Sequence, residues 1–173
     1  WVLCSVSNQV ANTTEDVDKS PNIRFFLFDE KVAKLRNSEK AEKEMEATDK
    51  LRAIKSDDAL IKNIALFKNV ITYTEYEEMD AKEVYVELYS YAKNYPSEFL
   101  EIATDKTIKT KATIKKYIET GVLTTDANGN IVDASNITNV LGVSLEEATK
   151  YLLNPVNSGE VTKFEGKFKA LNK

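Results

Sequence analysis

Apolar positions recur at helical spacing over most of this chain, and at strand spacing over little of it. From Ala81 to Asn94, Val84, Leu88 and Tyr91 fall at i, i+4 and i+7, with Tyr95 next and Tyr85, Tyr89 and Ala92 widening the face, which predicts a core helix. Pro96 suits the first turn of a following helix, where a missing N–H is no loss, and Phe99, Leu100 and Ile102 continue the core to Ala103. Asp57–Val70 predicts another helix, with Ala59, Leu60, Ile64 and Phe67 inward. Thr72–Glu75 breaks it, and Thr74 is placed to cap a turn through Met79. Lys106–Thr120 carries a stripe of Ile108, Ala112, Ile114, Tyr117 and Ile118, with Asp105 as its cap and Gly121 at its exit. A last helix begins at Ser158 and turns Val161, Phe164, Phe168 and Leu171 inward, weakened by Gly166.

The helix expected over Asp29–Lys55 is of another kind. It holds 15 charged residues in 27, eight basic and seven acidic, and its apolar residues Val32, Leu35, Met45, Leu51 and Ile54 are sparse. Glu39 and Lys43, and Glu46 and Lys50, stand in the favourable i,i+4 order. Such a helix is solvated along most of its length or bridges between elements. It lacks the sustained heptad of a coiled coil.

Strand pattern appears in two places. Ile23–Phe28 is a short apolar, aromatic run that needs a partner, either the hairpin below or another chain. Asn128-Gly129 lies between Val122–Asp126 and Asn130–Asp133, which predicts a two-residue type I′ hairpin with Asp126 facing Ile131 and Thr125 facing Val132. Asp126, Asn128, Asn130 and Asp133 have a calcium-loop flavour, but Ile131 stands where such a loop needs glycine and Ile137 where it needs a bidentate glutamate. Neither aspartate is therefore assigned a ligand, and replacing either by asparagine is expected to cost little. Ser135–Ala148 then reads as two short helices about Gly142, with Ser144 and Glu147 as a capping box opening the helix to Leu153.

The helix, hairpin and helix-turn-helix from Asp105 to Leu153 resemble a small winged-helix or helix-turn-helix DNA-binding unit. Lys106, Lys109, Lys111, Lys115 and Lys116 crowd one helix, and lysine is a phosphate-contacting residue. Against this, the would-be reading helix opens on Glu146 and Glu147 and has no arginine, where a groove reader needs donors. Ordinary packing of these elements is the stronger reading, and a nucleic-acid-binding module the alternative.

Trp1–Lys19 has no helical or strand period and reads as an extended arm. Trp1, Leu3 and Val6 are too apolar for a solvated tail. They lie either on a neighbouring subunit or over the chain's own core, and with Phe25 and Phe26 they are the candidate partner contacts. The start lacks an initiator methionine, so the chain is expected to begin inside a longer protein or to be processed.

Composition narrows the chemistry. The chain has 173 residues, no histidine and one cysteine, Cys4. Imidazole metal sites, histidine bases and triads are excluded, as are an internal disulfide and a cysteine zinc cluster. The five glycines are scattered and form no phosphate-cradling loop. From Thr72 to Glu101 there are eight acidic and two basic residues, clustered before a helix start with no ligand spacing. A net charge of −4 exerts no general pull toward nucleic acid or membrane, and no apolar run approaches the length of a span. No catalytic residue, metal, cofactor or small-molecule substrate is assigned.

Tyr95-Pro96-Ser97-Glu98-Phe99-Leu100, Ile114–Leu123 and Leu145–Leu152 resemble phrases of small helical proteins of tailed bacteriophages, several of them virion-associated. The likeness covers about Asp80 to Leu171, and 21 Lys against three Arg fits an AT-rich genome. It implies a structural protein of the particle, in capsid, neck or tail or packaged in the head, located in the virion and otherwise in the cytoplasm. It transfers no catalytic residue. The expectation is a mainly α protein: an arm over 1–21, a short strand and charged helix over 22–55, and a helical domain over 56–173 with a hairpin at 122–133. Its work is contact with other subunits of a large assembly, with DNA as a further possible partner.

Overall fold

In the computed structural model, residues 10–11, 25–26 and 30–171 are described. The fold is mainly helical with a small three-stranded antiparallel sheet. The chain divides into two compact units, 1–43 and 44–173. In the first, β1 (Val10–Ala11) and β2 (Phe25–Phe26) pair in parallel, Val10 opposite Phe25 and Ala11 opposite Phe26. The partner of the aromatic run therefore comes from the segment read as an arm, and not from the hairpin. α1 (Glu30–Ala53) follows and crosses the division. Val32, Leu35 and Met45 are exposed on it, whereas Ala47 and Leu51 in its last turns are fully buried, because the apolar spacing becomes helical only there.

The second unit has two cores. The first is built by the end of α1, α2 (Asp58–Phe67), α4 (Ala81–Asn94), α5 (Pro96–Ala103) and the first residue of α6 (Ile108–Glu119). α2 is the central helix, with Ile61, Asn63, Ile64, Ala65 and Leu66 all buried. Asp57 caps its start by accepting from the Leu60 N–H at 2.9 Å. It ends at Phe67, earlier than expected, because Asn69 takes the left-handed conformation at φ 57°, which asparagine tolerates. The next cap is Thr72, two residues before the expected Thr74. It forms a capping box with Glu75 that opens the short helix α3 (Tyr73–Glu78). α4 has the predicted bounds and buries Ala81, Val84, Leu88 and Ala92. Pro96 opens α5 as expected.

α6 leaves the first core and enters the second. Ile108 packs in one, Ile114 and Tyr117 in the other. At its end the Gly121 N–H donates to the Ile118 carbonyl (3.2 Å) and the Val122 N–H to Tyr117 (2.8 Å), the paired bonds of a Schellman motif with Gly121 at φ 76°. Val122 is thereby turned into the second core beside Leu123, Ile131, Leu141, Ala148 and Phe164.

Two expectations about the stretch after α6 are corrected. β3 (Leu123–Thr125) and β4 (Ile131–Asp133) do form a hairpin, but Thr125 faces Ile131 and Thr124 faces Val132, one residue out of the expected register. The loop is not a two-residue type I′ turn. Gly129 has φ 84°, while Asn128 is not left-handed. The Asp126 carboxylate takes the Asn128 and Asn130 N–H groups, each at 2.8 Å, and Asp126 and Asn130 close a three-residue loop. This local capture of N–H groups outweighs the Asn-Gly preference.

The second correction is larger. Residues expected to form the first helix of a helix-turn-helix are β5 (Asn136–Gly142), the third strand of a meander ordered β3-β4-β5. Asp133 sets this up by accepting from the Ser135 N–H (2.9 Å) and hydroxyl (2.8 Å), which turns the chain sharply after β4. The β-branched Ile137, Thr138 and Val140 then favour extension. Gly142 is consequently a strand residue against α7 (Leu145–Leu153), and no turn between helices. Ser144 caps α7 by accepting from the Glu147 N–H at 3.3 Å, while the Glu147 carboxylate reaches Val143 instead of closing the box. A 3₁₀ turn (Pro155–Asn157) leads into α8 (Ser158–Leu171), whose buried residue is Phe164.

Candidate functional site

The lysines of α6 were the first candidates, and their placement divides them. Lys111 and Lys115, one turn apart, point into the protein. Lys111 pairs with Asp105 at 2.8 Å. Asp105 does not cap α6 directly but lies ahead of it, taking the Thr107 N–H and hydroxyl, both at 2.7 Å. Burial would raise its carboxyl, but Lys111 and Thr107 outweigh that and hold it down to about 2. The Lys115 ammonium donates to the Leu66 carbonyl at 2.6 Å and to the Asn69 side-chain oxygen, so it closes the carboxyl end of α2. Burial lowers its pKa, and Glu119 at 3.8 Å partly opposes this. Lys116 lies over the Tyr76 ring, 3.5 Å from its centre. Lys106 and Lys109 are exposed. The five lysines thus do not form one cationic face, and Lys111 and Lys115 are spent on α6 packing.

With residues 136–142 in a strand, the helix-turn-helix geometry is absent among the described residues. α7 presents exposed Glu146 and Glu147 at its first turn, an acidic end unsuited to a phosphate backbone.

The most concentrated polar cluster was not visible in the sequence. At the end of β4, Asp133 is almost buried and receives the Lys167 ammonium from α8 at 2.7 and 2.8 Å. Lys167 also donates to the Ser135 hydroxyl at 2.6 Å. A serine beside a lysine invites comparison with a serine–lysine nucleophile. The chemistry opposes it: the ammonium spends its three donors on Asp133 and Ser135 and has no lone pair to take the hydroxyl proton. The cluster is a clamp between sheet and last helix. Burial alone would raise the Asp133 carboxyl, but Lys167 and Ser135 outweigh it and the net shift is downward.

This overturns the equal weight given to the two aspartates. Asp133→Asn removes the charge facing Lys167 and is expected to cost about 2 kcal/mol at neutral pH, the worth of a charged hydrogen bond in a part-exposed setting. Asp126→Asn, on an exposed loop, should cost clearly less. Because the folded pKa of Asp133 lies below its unfolded value of about 3.9, its contribution is full above that pH and fades as pH falls toward the folded value. Urea titrations of both variants at pH 7 and near pH 3 check this. Equal costs at pH 7, or an Asp133→Asn cost that is undiminished near pH 3, would contradict the clamp.

Two further clusters tie helices together. Glu98 on α5 accepts from the Tyr91 hydroxyl (3.0 Å) and from Lys68 (2.9 Å). Glu160 on α8 accepts from Asn139 of β5 at 3.2 Å and from the Tyr151 hydroxyl of α7. Burial first, then Glu160, pushes the Tyr151 phenol up to about 12. The Tyr91 and Tyr151 hydroxyls thus each donate to a carboxylate. Among the described residues, no group of three or more His, Cys, Asp or Glu is placed to hold a metal ion. Some acidic residues of this stretch serve as caps: Glu75 accepts from the Thr72 N–H, and Glu83, in the first turn of α4, accepts from the Asp80 N–H at 3.0 Å. No helix among the described residues is long and apolar enough to cross a membrane. Trp1, Cys4, Leu3 and Val6 lie outside the described residues, and Phe25 and Phe26 form β2.

No protein-family model, curated protein or solved structure matches the chain.

Several large apolar side chains among the described residues also stay outward. Ile137 and Val140 on β5, Leu153 at the end of α7 and Val156 in the 3₁₀ turn are 68, 43, 54 and 86% exposed. Sequence reading missed this because it placed Ile137 and Val140 in a packed helix.

Proposed function

We propose that this protein is a non-enzymatic structural or assembly component that binds neighbouring subunits of a larger particle. A tailed-phage virion is the assembly its sequence style suggests. The observation that carries the reading is the contrast between the two kinds of surface group. Charged clusters at Asp105, Lys115, Asp133 and Glu160 are consumed inside the chain, holding helices and sheet together. Large apolar side chains are left outward in a stretch poor in charge, which is the character of a protein contact surface. Nucleic-acid binding draws less support, since Lys111 and Lys115 face inward.

The reading is tested by locating the chain. It should co-sediment with nuclease-treated phage particles, and removing residues 1–19 should abolish this while leaving helix content nearly unchanged. A chain that stays at the top of the gradient would sink the proposal, as would a sub-micromolar duplex affinity that falls steeply with salt and vanishes when Lys106, Lys109 and Lys116 become glutamine. Co-sedimentation retained by a truncated but unfolded domain would assign the arm to the chain's own core.

A further inference from the structure

Asn128 is the one asparagine of the chain that glycine follows. That neighbour matters chemically. A backbone nitrogen can attack the side-chain amide carbon of the asparagine before it, and the attacking residue's own side chain hinders the approach. Glycine has none. Most other asparagines precede branched or bulky residues, and Asn154 precedes a proline, which has no N–H to lose. Asn37 and Asn157 precede serine. Asn37 lies inside α1, whose ladder ties up backbone N–H groups. The Asn157 amide donates to the Tyr151 carbonyl at 2.9 Å, and the Ser158 N–H donates to Pro155.

Asn128 and Gly129 are both exposed in the loop between β3 and β4. A Cβ built on Gly129 would meet nothing within 4 Å, so water and hydroxide reach this backbone freely. One feature of the loop works against reaction. The Gly129 N–H donates to the Asp126 carbonyl at 3.0 Å, and a nitrogen must lose that proton before it can attack. The Asp126 carboxylate holds the same loop shut, accepting from the Asn128 and Asn130 N–H groups and from the Asn130 side chain, each at 2.8 Å. Bonds from Asn130, then from Asn128 and Gly129, keep its carboxyl below the usual range and therefore ionised. A negative charge beside the Gly129 nitrogen opposes making that nitrogen an anion.

We propose that Asn128 is a site of spontaneous deamidation, and that the loop closed by Asp126 sets the rate by keeping the Gly129 nitrogen protonated. Hydroxide takes the Gly129 amide proton. The nitrogen attacks the Asn128 Cγ, and the new N–Cγ bond closes a succinimide. The Cγ–Nδ2 bond breaks, takes a proton from water and releases ammonia, which regenerates hydroxide. Water then opens the ring on either side. Breaking the N–Cγ bond gives aspartate. Breaking the bond from the nitrogen to the Asn128 backbone carbonyl carbon gives isoaspartate, with the chain running through Cγ. One amide and one water are consumed, one carboxylic acid and one ammonia are formed, and nothing is oxidised or reduced. Either product sets a second carboxylate beside Asp126, and isoaspartate also lengthens the loop backbone. The reaction thus loosens the hairpin in which it starts.

Incubation of the full chain at neutral and mildly alkaline pH, with peptide mapping by mass spectrometry that separates aspartate from isoaspartate, tests this. Amide should be lost at residue 128 ahead of every other asparagine, faster at the higher pH, with both products formed. The same chain unfolded in urea should react faster at 128 than the folded chain. Asp126→Ala, which removes the acceptor of two loop N–H groups, should quicken the loss about tenfold, the factor that about 1.4 kcal/mol of loop closure represents. Asp126→Asn keeps an acceptor but loses the charge, and should fall between this variant and the parent. It also serves as the test should Asp126→Ala melt early by circular dichroism. Asn128→Gln, whose extra methylene disfavours ring closure, should show no loss at 128. Amide lost first at another asparagine overturns the proposal. So does an unfolded chain that reacts no faster than the folded one, or a folded Asp126 variant that reacts no faster than the parent, since the loop would then not set the rate.

Discussion

Phe164→Ala is expected to destabilise the second unit by about 3–4 kcal/mol, the usual cost of emptying a fully buried aromatic site. Phe164 is 1% exposed, and it is the buried residue of α8. Its ring meets Tyr117 of α6 at 6.4 Å between centres, and the stem of Lys167 brings the ammonium within 5.5 Å of its face. The helix cannot hold itself: Gly166 lies in its interior, and a 14-residue helix in water is marginal. Removing the ring should therefore loosen the Lys167–Asp133 clamp as well, so hydrogen exchange over α8 should quicken more than exchange over α2. Leu171→Ala, at a 60% exposed position, should cost less than about 0.5 kcal/mol. Chemical denaturation of the two variants decides the matter. A Phe164→Ala cost below about 1 kcal/mol would mean that the second core does not depend on α8.

That contrast shows how far periodicity reaches. Val161, Phe164, Phe168 and Leu171 were equal members of one predicted face, yet Leu171 is exposed and Val161 and Phe168 are half-buried. Helical spacing tells which side faces inward but not how much neighbouring structure covers each turn. The bounds of α4 and the proline after it were legible, as was burial of Val84, Leu88 and Ala92, but of the tyrosines placed on the same face Tyr89 and Tyr95 are exposed. The exit of α6 was legible because Gly121 has a local geometric duty. The candidate site was not legible, because its contacts are long-range. Asp133 and Lys167 are 34 residues apart, and Lys115 reaches Leu66 across 49. A lysine that closes another helix's carboxyl end looks, in sequence, the same as one reaching for phosphate. The stretch 136–142 failed for a further reason: its polar and apolar residues satisfy a short helix as well as a strand, and the deciding element, the turn built by the Asp133 carboxylate, lies just before it.

Gly142→Ala should cost about 3 kcal/mol, at the upper end of what overpacking usually costs. A Cβ at this position would stand 2.6 Å from the Glu147 Cβ, 2.7 Å from the Ala148 backbone nitrogen and 2.9 Å from the Glu147 carbonyl carbon. Two of these atoms are helix backbone and the third is the first side-chain atom, so no rotamer change relieves the contact. β5 would have to lift from α7, uncovering Leu141 and Ala148, which are 4 and 0% exposed. Asparagine distinguishes this from the duty of a turn glycine. Were Gly142 needed for left-handed backbone, Gly142→Asn would be milder than Gly142→Ala, because asparagine tolerates that conformation. A packing glycine predicts the reverse order, since the larger side chain meets the same wall. Gly166→Ala gives the opposite sign: nothing lies within 4 Å of its added Cβ, and alanine in a helix interior should stabilise by roughly 0.5–1 kcal/mol. Thermal and urea unfolding of the three variants settles the order. Asparagine tolerated better than alanine at 142 would count against the close packing of β5 on α7.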